Sequence, residues 1–318
     1  MLNRRILRMK AFKVLFSSVF SRGTENEASL ASLESELDLS SEAARDLYIF
    51  MLGAVTPLTR IASSRIEAAR NKLKPTEEDL NPNTKFADNR LSVILDESPD
   101  FQKILKKKGF SWQNYELILK RVLDSAGKKP WFSQYMDSPK SSLKDDCQLF
   151  VKIYEEEFLE IDELYSVLEE KSLYWNDDIA YALSWCCRTF LSISKEGRWS
   201  VPEVYVPASK DEGGRKSDRD FVHSLLRSAY ANYDRFAALV SDYAKGWDSD
   251  RLSSMDVCLV VMALSEIVTF PDLPVNVSIN EYVEISKCYC SPKSTGFING
   301  ILDRLVKKLA SEGEINKF

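Results

Sequence analysis

The chain has 318 residues, 44% of them hydrophobic, with 11 glycines, 11 prolines and a formal net charge of −5. A core can be buried, the turn-rich composition of an all-β protein is absent, and a molecule that is basic throughout is excluded. One histidine and six cysteines without a Cys-x-x-Cys pair offer no zinc-ligand spacing, and the adjacent Cys186 and Cys187 argue against a disulfide framework. Reduced thiols and a cytoplasmic setting are expected, with neither metal nor cofactor.

Charge is unevenly spread. Arg4, Arg5, Arg8, Lys10, Lys13 and Arg22 all precede the first acidic residue, Glu25. Those six cations leave −11 on the rest of the chain, so a basic arm is joined to an acidic body. The segment is rich in arginine and poor in acids, as transit peptides are; against a secretory signal, Lys10 and Lys13 interrupt its apolar part and no small-x-small cleavage site follows. No apolar run approaches the ~20 residues of a membrane span.

Taken in chain order, residues 3–20 read as one helix. Arg8, Phe12, Leu15, Phe16 and Val19 share a face that is cationic at its start and apolar later. This pattern predicts a packed second half and a first half projecting from the body. Residues 24–39 are polar, a loop with a short helix. A long helical pattern runs from Ser40 to about Leu73, with a kink expected at Pro57. "KPTEEDLNPNTKFADN" is a break. Short helices are predicted at 88–96, 98–107, 111–125, 130–136, 144–158, 160–170 and 176–195. "VPEVYVPASKDEGGRKSDRD" reads as a linker. A helix then runs from Phe221 to about Gly246, and 252–270 is apolar nearly all round, the pattern of a buried central helix. Pro271 and Pro274 end it. An amphipathic helix follows over 275–290, then a turn and a last helix over 294–311. No alternation long enough for a sheet is present.

Catalysis finds little support. His223 and Ser224 are neighbours, and i,i+1 side chains on a helix diverge. Gly213-Gly214 before Lys216 lacks phosphate-loop spacing. Paired acids such as Asp145-Asp146 and Asp177-Asp178 read as caps or solvated faces.

The last helix, "STGFINGILDRL", is more informative. Its core stripe is Ile298, Ile301, Leu302, Leu305 and Leu309, and Phe297 lies at the edge of that stripe between Gly296 and Gly300. Phe297 either caps the core or offers a ring to a ligand, with the glycines permitting close approach. The residues alone leave both readings open.

Two blocks carry a family resemblance. "GWDSDRLSSMDVCLVVMALSEI", followed by "PVNVSINEYVEISKCYCSPKSTGFINGILDRL", resembles the NusB transcription antitermination family. "DRDFVHSLLRSAYANYDRFAALV" fits the preceding helix of that family, and "NRRILRMKAFKVLFSSVF" its arginine-rich first helix. Residues 23–216 depart from the ordinary pattern. With "PTEEDLNPNTKF" and "SLYWNDD" the chain is similar to a long form found in Bacteroides-type bacteria.

The resemblance implies an all-α fold, a pair of small helical bundles. Residues 1–22 and 217–311 would form the RNA-binding core, 23–216 a helical insertion, and 312–318 a tail. It implies a non-catalytic factor that binds single-stranded boxA-type RNA of ribosomal RNA transcripts, together with a small-subunit ribosomal protein, within the RNA polymerase elongation complex. Carried over by position, the RNA-binding residues would be Arg4, Arg5, Arg8, Lys10, Lys13, Phe16, Lys293 and Phe297. Asp256 and Glu266 would lie near the protein partner. The alternative is a helical scaffold that keeps the fold without binding RNA.

Overall fold

The structure, a computed structural model, describes residues 1–139, 142–208, 217–244 and 253–317. Gly213, Gly214, Lys216 and the "GWDSDRL" part of the C-terminal motif lie outside the described residues. Among those described the chain is all-α, with no strand. It forms two compact units, Met1–Ser41 with Glu203–Phe318, and Glu42–Pro202. The units divide at 41/42 and 202/203, whereas the sequence suggested 22/23 and 216/217. Buried anchors explain the difference. Leu33 and Leu37 in the polar stretch after the first helix are buried, as is Val204 in the expected linker. The Leu2 amide donates to the Val204 carbonyl at 3.0 Å.

Helix α1 spans Arg4–Val19, with Asn3 as its N-cap accepting from the Ile6 amide. Helix α2, Leu30–Leu52, starts ten residues before the predicted Ser40 and gives its first turns to the first unit. The predicted kink at Pro57 falls earlier, at Gly53–Ala54. Pro57 sits in the first turn of α3, Val55–Arg70, where a missing N–H costs no hydrogen bond. One stretch, Leu30–Arg70, is long and apolar enough to cross a membrane by length and composition, contrary to expectation, and most of its apolar part is buried inside the protein.

The second unit continues with α4 (Glu77–Leu80), α5 (Arg90–Asp96), α6 (Pro99–Lys108), α7 (Glu116–Ala126), α8 (Pro130–Asp137), α9 (Leu143–Glu156), α10 (Asp162–Lys171) and α11 (Ile179–Glu196). Helices α9 and α11 pack along each other. Aromatic side chains fill the core. Phe50 stacks on Trp112 at 4.5 Å, the Trp112 indole donates to the Phe50 carbonyl, and the Tyr154 hydroxyl donates to the Met51 carbonyl. Cys147, Cys186 and Cys187 are buried free thiols.

The rest of the first unit is α12 (Asp218–Ala231), α13 (Tyr233–Ala244), α14 (Ser254–Thr269), α15 (Val275–Tyr289) and α16 (Pro292–Ser311). The single helix expected from Phe221 breaks at Asn232. Helix α14 is the centre: residues from Cys258 to Ile267 are all buried, and α1, α12, α13, α15 and α16 surround it. This is the buried helix the apolar run predicts. Ser253 and Asp256 cap its start reciprocally, and the chain leaves it toward Pro271.

Candidate nucleic-acid interface

The basic arm has no counter-charge along the sequence, but it finds several in space. Arg4 pairs with Asp218 at 3.2 Å and lies over the Phe221 ring. Arg5 forms a two-pronged bond with Glu281, at 2.9 and 2.8 Å, and keeps 47% of its side chain exposed. Arg8 forms another with Glu266, at 2.6 and 2.8 Å, and only 4% of its side chain is exposed. Arg22 bonds Asp234 between the Tyr230 and Tyr233 rings. Lys10 is buried.

The first half of α1 therefore does not project. Leu7, Arg8, Lys10 and Ala11 are buried, and α1 packs on α12 and α14. A guanidinium leaves water at a high desolvation cost unless it is paired and hydrogen-bonded, and Arg8 is both. Burial pulls its pKa down, but the hydrogen bond to Glu266 together with the charges of Glu266, Tyr282 and Glu281 outweighs it and raises the pKa. The bond from Arg5 holds the Glu281 carboxyl below its usual value despite partial burial. Arg8 and Lys10, expected at the RNA, are thus buried side chains in the first unit.

Asp256 and Glu266, expected on the buried helix near the protein partner, are also enclosed. Glu266 is fully buried and accepts from Arg8, from the Ser278 hydroxyl at 2.8 Å and from the Tyr282 hydroxyl at 3.3 Å. Asp256, also buried, accepts from the Ser253 amide and the Ser294 hydroxyl. Neither carboxylate reaches a surface. Glu266 ties α1 and α15 to α14, and Asp256 ties the start of α16 to that of α14.

The second half of α1 is more open. Phe12, Phe16 and Phe20 recur every four residues, which places them on one face. Phe12 is buried, Phe16 half-buried and Phe20 72% exposed. Phe12 contacts Tyr289 at 5.4 Å, and the Lys13 ammonium stands 5.6 Å from the Tyr289 ring centre, within cation–π range. Tyr289 closes α15. Two residues later Ser291 caps α16, whose first turns carry the exposed Lys293 and the half-buried Phe297. Tyr289 thereby brings the middle of α1 to the end of α15 from which α16 begins. Sequence reading missed it, although an aromatic one residue from the end of an amphipathic helix was the available signal. Gly296 is exposed, and a Cβ built there meets nothing within 4 Å.

The arrangement sets the half-buried Lys13 and Phe16 of α1 near the end of α15, and the exposed Lys293 and half-buried Phe297 follow in the first turns of α16. Among the described residues no cluster of three metal-ligating side chains exists. Residues 195–307 match the model of the NusB family. The chain is 32% identical over 114 residues to the transcription antitermination protein NusB of Salinibacter ruber, covering 36% of this chain and 69% of that protein. The chain belongs to the NusB family. The Acetivibrio thermocellus NusB is 31% identical over 104 residues (32% of this chain, 72% of the relative), and the Alkaliphilus oremlandii NusB 31% over 93 residues (29% and 67%). No solved structure matches the chain. The family is non-catalytic, and the chain is not an enzyme. The match begins at residue 195 and leaves out α1, which packs on α12, α14 and α15 of the matched segment.

Proposed function

We propose that this protein is a cytoplasmic transcription antitermination factor that binds single-stranded boxA-type RNA together with a small-subunit ribosomal protein in the elongation complex. The names of its relatives support antitermination. The observation that carries RNA binding is the junction at Tyr289, which holds Lys13 of α1 beside the end of α15 from which α16, with Lys293 and Phe297, begins. Lys13, Lys293 and the exposed edge of Arg5 attract phosphates without reading sequence, while Phe16 and Phe297 stack splayed bases. Arg4, Arg8, Lys10, Asp256 and Glu266 act indirectly by holding α1, α14, α15 and α16 in register.

The test is binding of a short boxA-type RNA to the purified protein across a salt series. Affinity falls with salt, and Lys13→Ala with Lys293→Ala lowers the log–log slope by about 0.7 per phosphate contact removed. A salt-independent affinity, or an unchanged slope in the double variant, rejects the interface. The pairing of Arg4, Arg5 and Arg8 with carboxylates favours a second reading, a scaffold that keeps the fold and binds only protein. Capture of the ribosomal protein with no RNA affinity supports that reading.

A further inference from the structure

Phe20 is the most exposed ring of the α1 stripe, and nothing in the reading above uses it. It closes α1, where a solvated polar residue would cost less. Phe20 is 72% exposed and touches Phe16 edge to face at 5.6 Å between ring centres, with an interplanar angle of 81°. Phe16 in turn is stacked on the buried Phe12 at 5.9 Å. The outer ring is therefore braced on a ladder anchored in the core, which limits the rotamer freedom lost on binding a flat ligand.

Two properties indicate what that ligand is. First, the Phe16 and Phe20 rings are nearly perpendicular and in contact, so no planar group fits between them, and the exposed Phe20 presents ring surface to solvent. Second, four residues of helix advance the chain by about 6 Å, so Phe20 follows Phe16 along the side of α1 that also carries Lys13, three residues before Phe16. A sequence of separately presented aromatic faces beside ammonium groups is how single-stranded nucleic acid is held, one base per ring.

We infer that Phe20 is a further base-stacking platform, extending the RNA footprint past Phe16 by one nucleotide toward the C-terminal end of α1. The inference rests on the RNA reading above. In this arrangement the base stacks on the free face of Phe20 and its edges remain open to water, so the platform accepts any base and lengthens the site without adding sequence specificity.

The experiment uses the full chain and a boxA-type RNA with 2-aminopurine placed singly at successive positions. Phe20→Ala is expected to weaken binding about tenfold, in line with the loss of one stack, to abolish fluorescence quenching at one terminal position only, and to leave the salt slope unchanged because no phosphate contact is lost. Phe20→Trp restores both affinity and quenching. The exposed position leaves the melting curve of either variant unchanged, so the readouts are not confounded by unfolding. Affinity and quenching in Phe20→Ala equal to those of the parent overturn the platform and leave the main interface standing. Unchanged RNA affinity with lost capture of the ribosomal protein also overturns it and assigns the ring to a protein contact. A parent protein that binds no RNA overturns both readings.

Discussion

Arg8 shows how far a residue's role can depart from its type. In a run of six cations it looks like a phosphate contact, yet its guanidinium is buried against Glu266. Removing one partner of a buried pair leaves the other charged and desolvated, which costs about 3–5 kcal/mol. Arg8→Ala is therefore expected to lower unfolding stability by that amount in urea titrations, while the salt slope of RNA binding in the folded fraction stays as in the parent. A shallower slope with intact stability would reverse the assignment. Gly296 makes the opposite case. It sits inside α16 facing open space, where Ala would be more stable by about 0.5–1 kcal/mol. Gly296→Ala is expected to raise the melting temperature and weaken RNA affinity, because its methyl group occupies the approach to Phe297. Higher stability with unchanged affinity would mean that the strand does not pass there.

At the scale of elements, α2 and α12 are joined by a charged network around the only histidine. The two ring nitrogens of His223 face Glu34 at 3.3 Å and Asp38 at 3.0 Å, Arg227 pairs with Glu34, and Arg219 pairs with Asp38. Burial pushes both carboxyls up, but hydrogen bonds from Arg227 and His223 to Glu34, and from Arg219, His223 and Tyr205 to Asp38, outweigh it and hold both below their usual values. Groups depressed in this way stabilise the fold fully above the unfolded carboxylate pKa, about 4, and less as pH falls through their folded values. Unfolding stability is thus expected to be flat above about pH 5 and to drop below it, and the Glu34→Gln, Asp38→Asn variant to show a flatter acid limb. Identical acid limbs would exclude the network as their source. The helices themselves were largely legible. The apolar run of α14 and the prolines beyond it are local signals, and local signals set helix ends. The breaks at Gly53 and Asn232 were not, because neighbouring helices decide where a continuous apolar pattern bends.

For the whole molecule, the first unit is made from two distant parts of the chain, and its buried anchors Leu33, Leu37 and Val204 lie within it. A protein joining 1–41 to 203–318 through a short Gly/Ser linker is expected to melt cooperatively by circular dichroism and to keep the RNA affinity of the full chain. A non-cooperative melt would show that the first unit depends on 42–202.

The sequence by itself determined that the chain is helical, where most helices lie, that 252–270 carries the central helix, and that the family is NusB. Each of these depends on neighbours a few residues apart or on a contiguous motif. Only the tertiary structure decided which cations face water, which acids are buried and which rings meet. Arg8 and Glu266 are 258 residues apart in the chain, and Arg5 and Glu281 are 276 apart. Pairing across such separations leaves no periodic trace, because it arises from the free energy of desolvation once α1 packs against α14 and α15.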